Sequence, residues 1–192
     1  MPLSAAINPG LPVLRTARLR LRCPEMQDGP GISAMMTPAV SATLGAWPVP
    51  FTLEMAAERV AQAQARAAAG EAFPWVVERQ ADAALLGWVE VVRHPTLLAR
   101  ATVGYWLGEA HQGHGYMREA IGPVIADALV RLDLDAIEAT AHADNIRSLA
   151  VLRGAGMRMV GPVTIYAAAR NQEEPCLLFE RVGPACAGRV PI

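Results

Sequence analysis

Lysine is absent from the 192 residues; all 17 basic positions are arginine, set against 18 acids for a formal net charge of −1. A chain so balanced has no excess positive charge to hold nucleic acid or an anionic membrane, and neither is expected as a partner. A phosphate-binding Walker loop is excluded as well, since it needs a lysine. Cysteine is scarce: Cys23, Cys176 and Cys186 are odd in number, far apart and outside any CxxC pair. They predict reduced thiols in a cytoplasmic protein, not a disulfide framework. No stretch approaches the roughly 20 uninterrupted apolar residues that cross a bilayer. The opening MPLSAAINPG lacks the basic and apolar regions of a secretory signal, so none is expected. Charged residues make up only 18% and aromatics 5%, while 53% are hydrophobic, which argues against disorder and for a core of small side chains.

What is present suits one domain. Residues 1–12 and 183–192 hold proline and glycine and read as loose extensions. Leu19, Leu21 and Cys23 alternate with arginines, the period of a half-buried strand. Short helices are expected near Gly31 to Met36 and from Asn145 to Arg153, and longer ones from Leu53 to Ala69 and from Tyr116 onward. In the last, Ala120, Ile121, Val124, Ile125, Ala128 and Leu129 form one stripe, with a bend expected at Gly122–Pro123. Strand-like runs cover Trp75–Glu78, Leu85–Val92, Thr102–Leu107, Ala136–Ala141, Met159–Ile165 and Cys176–Val182. The order implies a mixed α/β fold: an antiparallel meander feeding a βαβ unit.

The most informative stretch is GYWLGEAHQGHGYMRE, from Gly104 to Glu119. A strand enters a glycine-bearing loop, and the loop opens a helix whose first N–H groups are unpaired and carry the positive end of the helix dipole. Gly113 and Gly115 would let a pyrophosphate approach the backbone. A dinucleotide fingerprint fails here, because Arg118 stands where its third glycine belongs. A tight strand-to-helix turn with no ligand explains the glycines equally well.

Three ordered motifs go further. Gln112-Gly-His-Gly-Tyr-Met117 resembles the Q/R-x-x-G-x-G/A loop of the GCN5-related N-acetyltransferases, which grips the pyrophosphate of acetyl-CoA. The wider string to Ala120, and Asn145-Ile-Arg-Ser148-Leu-Ala-Val-Leu152 with its following glycines, resemble the RimJ/RimL-type branch. Leu14 to Leu21 is similar to that branch's opening strand. The resemblance runs from about residue 13 to 182. Met117 and Met157 depart from it, standing where the family usually has Gly or Ala and Phe.

The resemblance implies a single GNAT domain over 13–182, with a mostly antiparallel central sheet splayed between strands 102–107 and 136–141 and helices on both faces. It implies an acyl-CoA-dependent N-acyltransferase, with acetyl-CoA as co-substrate and a primary amine as acceptor, a protein N-terminus or a small amine. Trp106, Leu107, Gln112, Gly113, His114, Gly115, Tyr116, Met117 and Arg118 would bind the cofactor, largely through backbone; Tyr105, Trp106 and Leu107 side chains read as core. Asn145 is a helix cap, a site residue, or both. Ser148 would hydrogen-bond the leaving thiolate. Glu90, a lone acid in an apolar strand, is the candidate base, the alternative being that it faces solvent; His142 and Asp144 are the next candidates. Trp47, Pro48, Pro50 and Phe51 either roof the acceptor pocket or pack in the core. His111-x-x-His114 has no further ligands at zinc spacing, so no metal is expected. No cysteine has a placed base, which favours direct attack in a ternary complex. The final strands offer an edge for a homodimer. The alternative reading is a non-catalytic acyl-CoA-binding or regulatory module, and a third is a partner-binding domain whose loop is only a turn.

Overall fold

The computed structural model describes residues 11–184. Cys186 and most of the two terminal extensions lie outside the described residues. The opening segment is a short hairpin, β1 (Leu14–Arg15) and β2 (Leu19–Arg22), in which Leu19 and Leu21 are fully buried. Next come α1 (Gly29–Met35) and α2 (Pro38–Ser41), each with a proline in its first turn, where the missing N–H costs no helical bond. The helix α3 (Leu53–Ala68) is capped by Thr52, whose hydroxyl accepts from the Met55 N–H at 3.3 Å, and buries Ala56, Val60 and Ala63.

The meander β3 (Ala72–Arg79), β4 (Leu85–Arg93) and β5 (Arg100–Leu107) is antiparallel throughout. The chain then crosses over by α4 (Tyr116–Arg131) into β6 (Ala136–Ala141), which pairs parallel with β5. α4 is one helix through Gly122 and Pro123, although Pro123 has no N–H for the Glu119 carbonyl. After α5 (Ile146–Gly154), the hairpin β7 (Arg158–Ala167) and β8 (Gln172–Val182) completes one sheet in the order β1-β2-β3-β4-β5-β6-β8-β7.

Helices cover both faces because strand residues alternate in direction. Trp75, Val77, Val89 and Val91 pack against the α4 stripe (Ala120, Ile121, Val124, Ile125) and against Leu149 and Leu152 of α5. Val76, Trp88 and Trp106 face the other way, onto Ile32, Val40, Val60 and Ala63 of the first three helices. Each fully buried aliphatic side chain contributes about 1.5–3 kcal/mol.

One irregularity opens the centre of the sheet. β5 and β6 are paired only at Arg100–Thr102 with Ala136–Glu138. A charged clamp marks the end of that pairing, with the Arg100 guanidinium on Glu138 at 2.5 Å and also on Glu180 of β8. Beyond it the strands part, and among the described residues the β6-facing edge of Val103–Leu107 has no strand partner.

Candidate active site

The gap opens into a cleft of about 1160 Å³, lined by the separated halves of β5 and β6, the loop before α4, the first turn of α5 and a tryptophan wall. Gln112 organises the loop: its amide donates to the Leu107 carbonyl at 3.0 Å, and its Oε1 accepts from Arg147 at 3.1 Å. Gly113 and Gly115 have φ of +82° and +78°, a region side chains rarely adopt. The first bond of α4 runs from the Glu119 N–H to the Gly115 carbonyl at 3.1 Å, which leaves the N–H groups of Tyr116, Met117 and Arg118 ahead of the helical ladder. The Tyr116 and Met117 side chains are buried in the core, so the longer residue at 117 turns away from the loop. Arg118 and Arg147 are exposed cations on the cleft rim. His114 is exposed and stacks on Tyr116 with ring centroids 5.7 Å apart. Glu119 faces away, toward Arg18 at 2.7 Å; burial works to raise its carboxyl, but bonds from Thr16 and Arg18 outweigh this and hold it below its ordinary value.

On α5, the Asn145 side chain accepts from the Ser148 N–H at 3.1 Å, an N-cap within the cleft lining. Ser148 Oγ lies 2.8 Å from the Tyr105 hydroxyl, which is also 3.3 Å from the Ser148 carbonyl. Tyr105 is therefore more than core packing, because its hydroxyl crosses from β5 to α5. Burial, partly offset by the bond to Ser148, pushes that hydroxyl up to about 12, so it is neutral near pH 7.

Glu90 stands on β4 opposite Gly104 of β5 and lines the cleft instead of facing solvent. Its side chain is 17% exposed, and the nearest cation is Arg66 at 3.8 Å. Burial raises its carboxyl above the ordinary value, while the charges of Arg66 and Arg59 pull it back. Among the described residues it makes no hydrogen bond. His142, at the end of β6, also lines the cleft, with Nε2 2.9 Å from Glu174. Glu174 is clamped by Arg170 at 2.5 and 2.7 Å, and Arg170 and Gln172 hold its carboxyl down at about 2. Arg170 also donates to the Ser41 and Leu44 carbonyls, fixing the β7–β8 turn onto the loop after α2. Asp144 is exposed, beyond the cleft lining. Trp47 meets Trp106 at 5.2 Å and Trp88 at 5.7 Å; all three line the cleft and are also buried, so the wall is both core and pocket. Among the described residues, no group of three or more His, Cys, Asp or Glu could hold a metal ion.

A positive-φ glycine loop beside a splayed sheet narrows the choice of family, and the sequence match decides it. The family described as "Acetyltransferase (GNAT) domain" matches residues 18–158. This chain belongs to that family. A curated relative, the probable N-acetyltransferase YjcK of Bacillus subtilis (strain 168), is 32% identical over 114 residues. The match covers 58% of this chain and 62% of that protein, less than two thirds of the relative's length. The ribosomal-protein-S5-alanine acetyltransferase of Vibrio fischeri superposes with a TM-score of 0.77 at 21% identity, over 90% of this chain and 97% of that one. Mycobacterium smegmatis RimJ, solved in complex with CoA-disulfide, gives 0.76 at 23% identity, over 85% and 81%. At these identities the likeness is one of fold.

The GNAT motifs pointed to the loop and to α5 but not to every cleft residue. Arg147 lies inside the second motif and carried a signal, a cation two residues after the cap. Arg59, Arg170 and Glu174 come from α3 and the last hairpin. No local pattern ties them to residues 100–148, and only the fold does so.

Proposed function

We propose that this protein is a single-domain, acyl-CoA-dependent N-acetyltransferase spanning about residues 13–182. It transfers acetyl from acetyl-CoA to a primary amine by direct attack in a ternary complex. The observation that carries the reading is the parting of β5 and β6 directly beside a positive-φ glycine loop at the start of α4. The residues present fit the co-substrate. Gly113 and Gly115 offer no Cβ, the N–H groups of Tyr116 to Arg118 are free to receive a pyrophosphate, and Arg118 and Arg147 flank it. Gln112 braces this loop, and His114 lies at its outer side. The unpaired edge of β5 around Trp106 and Leu107 offers N–H and C=O groups to an extended amide-bearing arm.

When bound, acetyl-CoA would supply an activated acyl group and a thiolate leaving group. The chain's own residues do the rest. An acceptor amine arrives mostly as ammonium near pH 7. Glu90, half-buried and less acidic than a free carboxyl, takes its proton. A β5 N–H donates to the oxygen on which negative charge develops. Ser148, held by its Asn145 cap and by Tyr105, donates a hydrogen bond to the departing sulfur. Cys176 also lines the cleft, but burial, then the charge of Glu174, push its thiol up, which favours direct attack over a covalent acyl-cysteine. The partners in this reading are acetyl-CoA and an amine, not nucleic acid or membrane, with the outer strand β7 open to a second copy of the chain. The compartment is the cytoplasm, as the few unpaired cysteines suggest; no helix among the described residues is long and apolar enough to cross a membrane.

The test is calorimetric titration of acetyl-CoA, with NADH and ATP as controls, followed by thiol release across an amine panel. Micromolar binding selective for acetyl-CoA, with turnover, is expected. Binding without turnover of any amine would mark a non-catalytic acyl-CoA module, and no binding at all would end the reading.

A further inference from the structure

The cleft's acceptor end concentrates polar groups whose bonding is incomplete. Trp88 Nε1 and Trp106 Nε1 are buried with no hydrogen-bond partner among the described residues. Glu90 faces the same chamber without a hydrogen bond among the described residues; Arg66 is 3.8 Å away, and the charge of Arg59 also reaches it. Arg59 lies flat over Trp47, 4.6 Å from the ring centroid, and gives one donor to the Ala46 carbonyl at 2.6 Å. Among the described residues its remaining donors have no acceptor and no carboxylate pairs with it. The other acids of the cleft are already engaged: Glu138 with Arg100 at 2.5 Å, and Glu109 with the Thr37 hydroxyl.

Arg59 and Arg66 are two turns apart on one face of α3, so they stand about 10 Å apart along the helix. Arg66 serves Glu90, and Arg59 is left over. Arg66 also lies 3.9 Å from Glu71 and outside the cleft lining, so Arg59 is the guanidinium that brings positive charge to the tryptophan wall without a carboxylate at pairing distance among the described residues. Such a group is costly when partly buried and unpaired, and a ligand anion would offset that cost. Arginine also presents a planar fork that matches a carboxylate.

We propose that Arg59 binds a carboxylate of the acceptor, so that the acceptor is a free amino acid with an apolar or aromatic side chain. Its ammonium lies toward Glu90, its carboxylate meets Arg59, and its side chain packs on Trp47, Trp88 and Trp106. A protein N-terminus has no carboxylate beside its amine and would leave Arg59 unpaired. The inference rests on the acetyltransferase reading above, which it deepens by naming the acceptor class.

The experiment compares phenylalanine, phenylalaninamide, 2-phenylethylamine and a phenylalanine-led tripeptide as acceptors at saturating acetyl-CoA. Phenylalanine is expected to exceed the other three in kcat/KM by about 10- to 100-fold, the scale of a charged hydrogen-bonded contact. Arg59→Gln is expected to bring the ratio of phenylalanine to 2-phenylethylamine near 1, with Arg59→Lys recovering part of it. Equal use of the amide, amine or tripeptide by the wild-type protein overturns the proposal, as does an undiminished ratio in Arg59→Gln. Acetyl-CoA affinity, measured separately by calorimetry, distinguishes this failure from that of the underlying reading: loss of the acceptor preference with binding and turnover intact strikes Arg59 alone, whereas no binding, or no turnover of any amine, strikes both.

Discussion

The Tyr105 hydroxyl and Ser148 Oγ, 2.8 Å apart, join β5 to the first turn of α5 where β5 and β6 have separated. The pair sets which way the serine hydrogen points. If the neutral Tyr105 O–H donates to Ser148 Oγ, the serine hydrogen is free to face the cleft and a departing sulfur. Tyr105→Phe keeps the buried ring and removes that donor. Its kcat is expected to fall about tenfold, the loss of one modest hydrogen bond in the transition state, with the Kd for acetyl-CoA within twofold of wild type. Steady-state kinetics beside calorimetry would check this. An unchanged kcat would reduce Tyr105 to packing and bracing.

Glu90 should show opposite effects on activity and stability. Burial raises its carboxyl, so the folded state holds the proton more tightly than the unfolded chain. A group of that kind contributes stability fully below its unfolded pKa of about 4.3 and loses that contribution as pH rises through the folded value. Near pH 7 the ionised Glu90 is therefore a liability. Glu90→Gln is expected to melt higher than wild type at pH 7, with the difference closing toward pH 4, while kcat/KM falls by about 10²–10⁴. Thermal melts across pH and an acetyl-transfer assay test the two halves independently. A lower melting temperature at pH 7 would mean that the attraction of Arg66 and Arg59 outweighs burial.

How much of this could be read from residue order depended on whether the chemistry was local. The alternation of Leu19 and Leu21, the α4 stripe and the β3–β5 meander each satisfy a short-range period, and the fold keeps them within a few residues of expectation. The turn before α4 was legible for the same reason: Gly113 and Gly115 hold positive φ that neighbouring residues determine, and Gln112 reaches only five residues back, to the Leu107 carbonyl. The opening strand proved to be a two-stranded hairpin, because the turn at Thr16 is set by its bond to Leu19 and not by any periodicity. Glu90 was undecided, since an acid at an alternating position suits solvent or cleft equally until the sheet's faces are assigned. Arg59 and the Arg170–Glu174 clamp were invisible, because no period links Arg59 to Ala46 and Trp47, and the clamp is tied to Ser41, Leu44 and His142 only by the fold.

That clamp gives a pH prediction of the other sign. Arg170, then Gln172, hold Glu174 at about 2, so its stabilising contribution is present above the unfolded value of about 4.3 and is lost as pH falls toward 2. Glu174→Gln is expected to melt below wild type at pH 7, with the gap narrowing steadily below pH 4. The substitution also removes the carboxylate on His142 Nε2 and loosens the turn that Arg170 fixes to Ser41 and Leu44. A gap that persists unchanged at pH 2.5 would show that the ion pair is not its source.

The glycine loop separates backbone strain from blocked binding. Gly115 sits at φ +78°, where an L-residue costs about 1–2 kcal/mol, yet an added Cβ meets only an Arg18 nitrogen at 3.6 Å, an ordinary contact. Gly115→Ala should therefore fold and melt about 2–8 °C lower, the range that strain implies for a chain of this size. Gly115→Val adds bulk beside Arg18, in the loop from which the N–H groups of Tyr116 to Arg118 emerge. It is expected to weaken acetyl-CoA at least tenfold beyond the alanine variant and to melt lower than it, because a β-branched residue is more strained at this φ. Calorimetry on the two variants reads the difference. If valine binds as well as alanine, the pyrophosphate does not lie against Gly115, and the role assigned to this loop is lost even if the fold is intact.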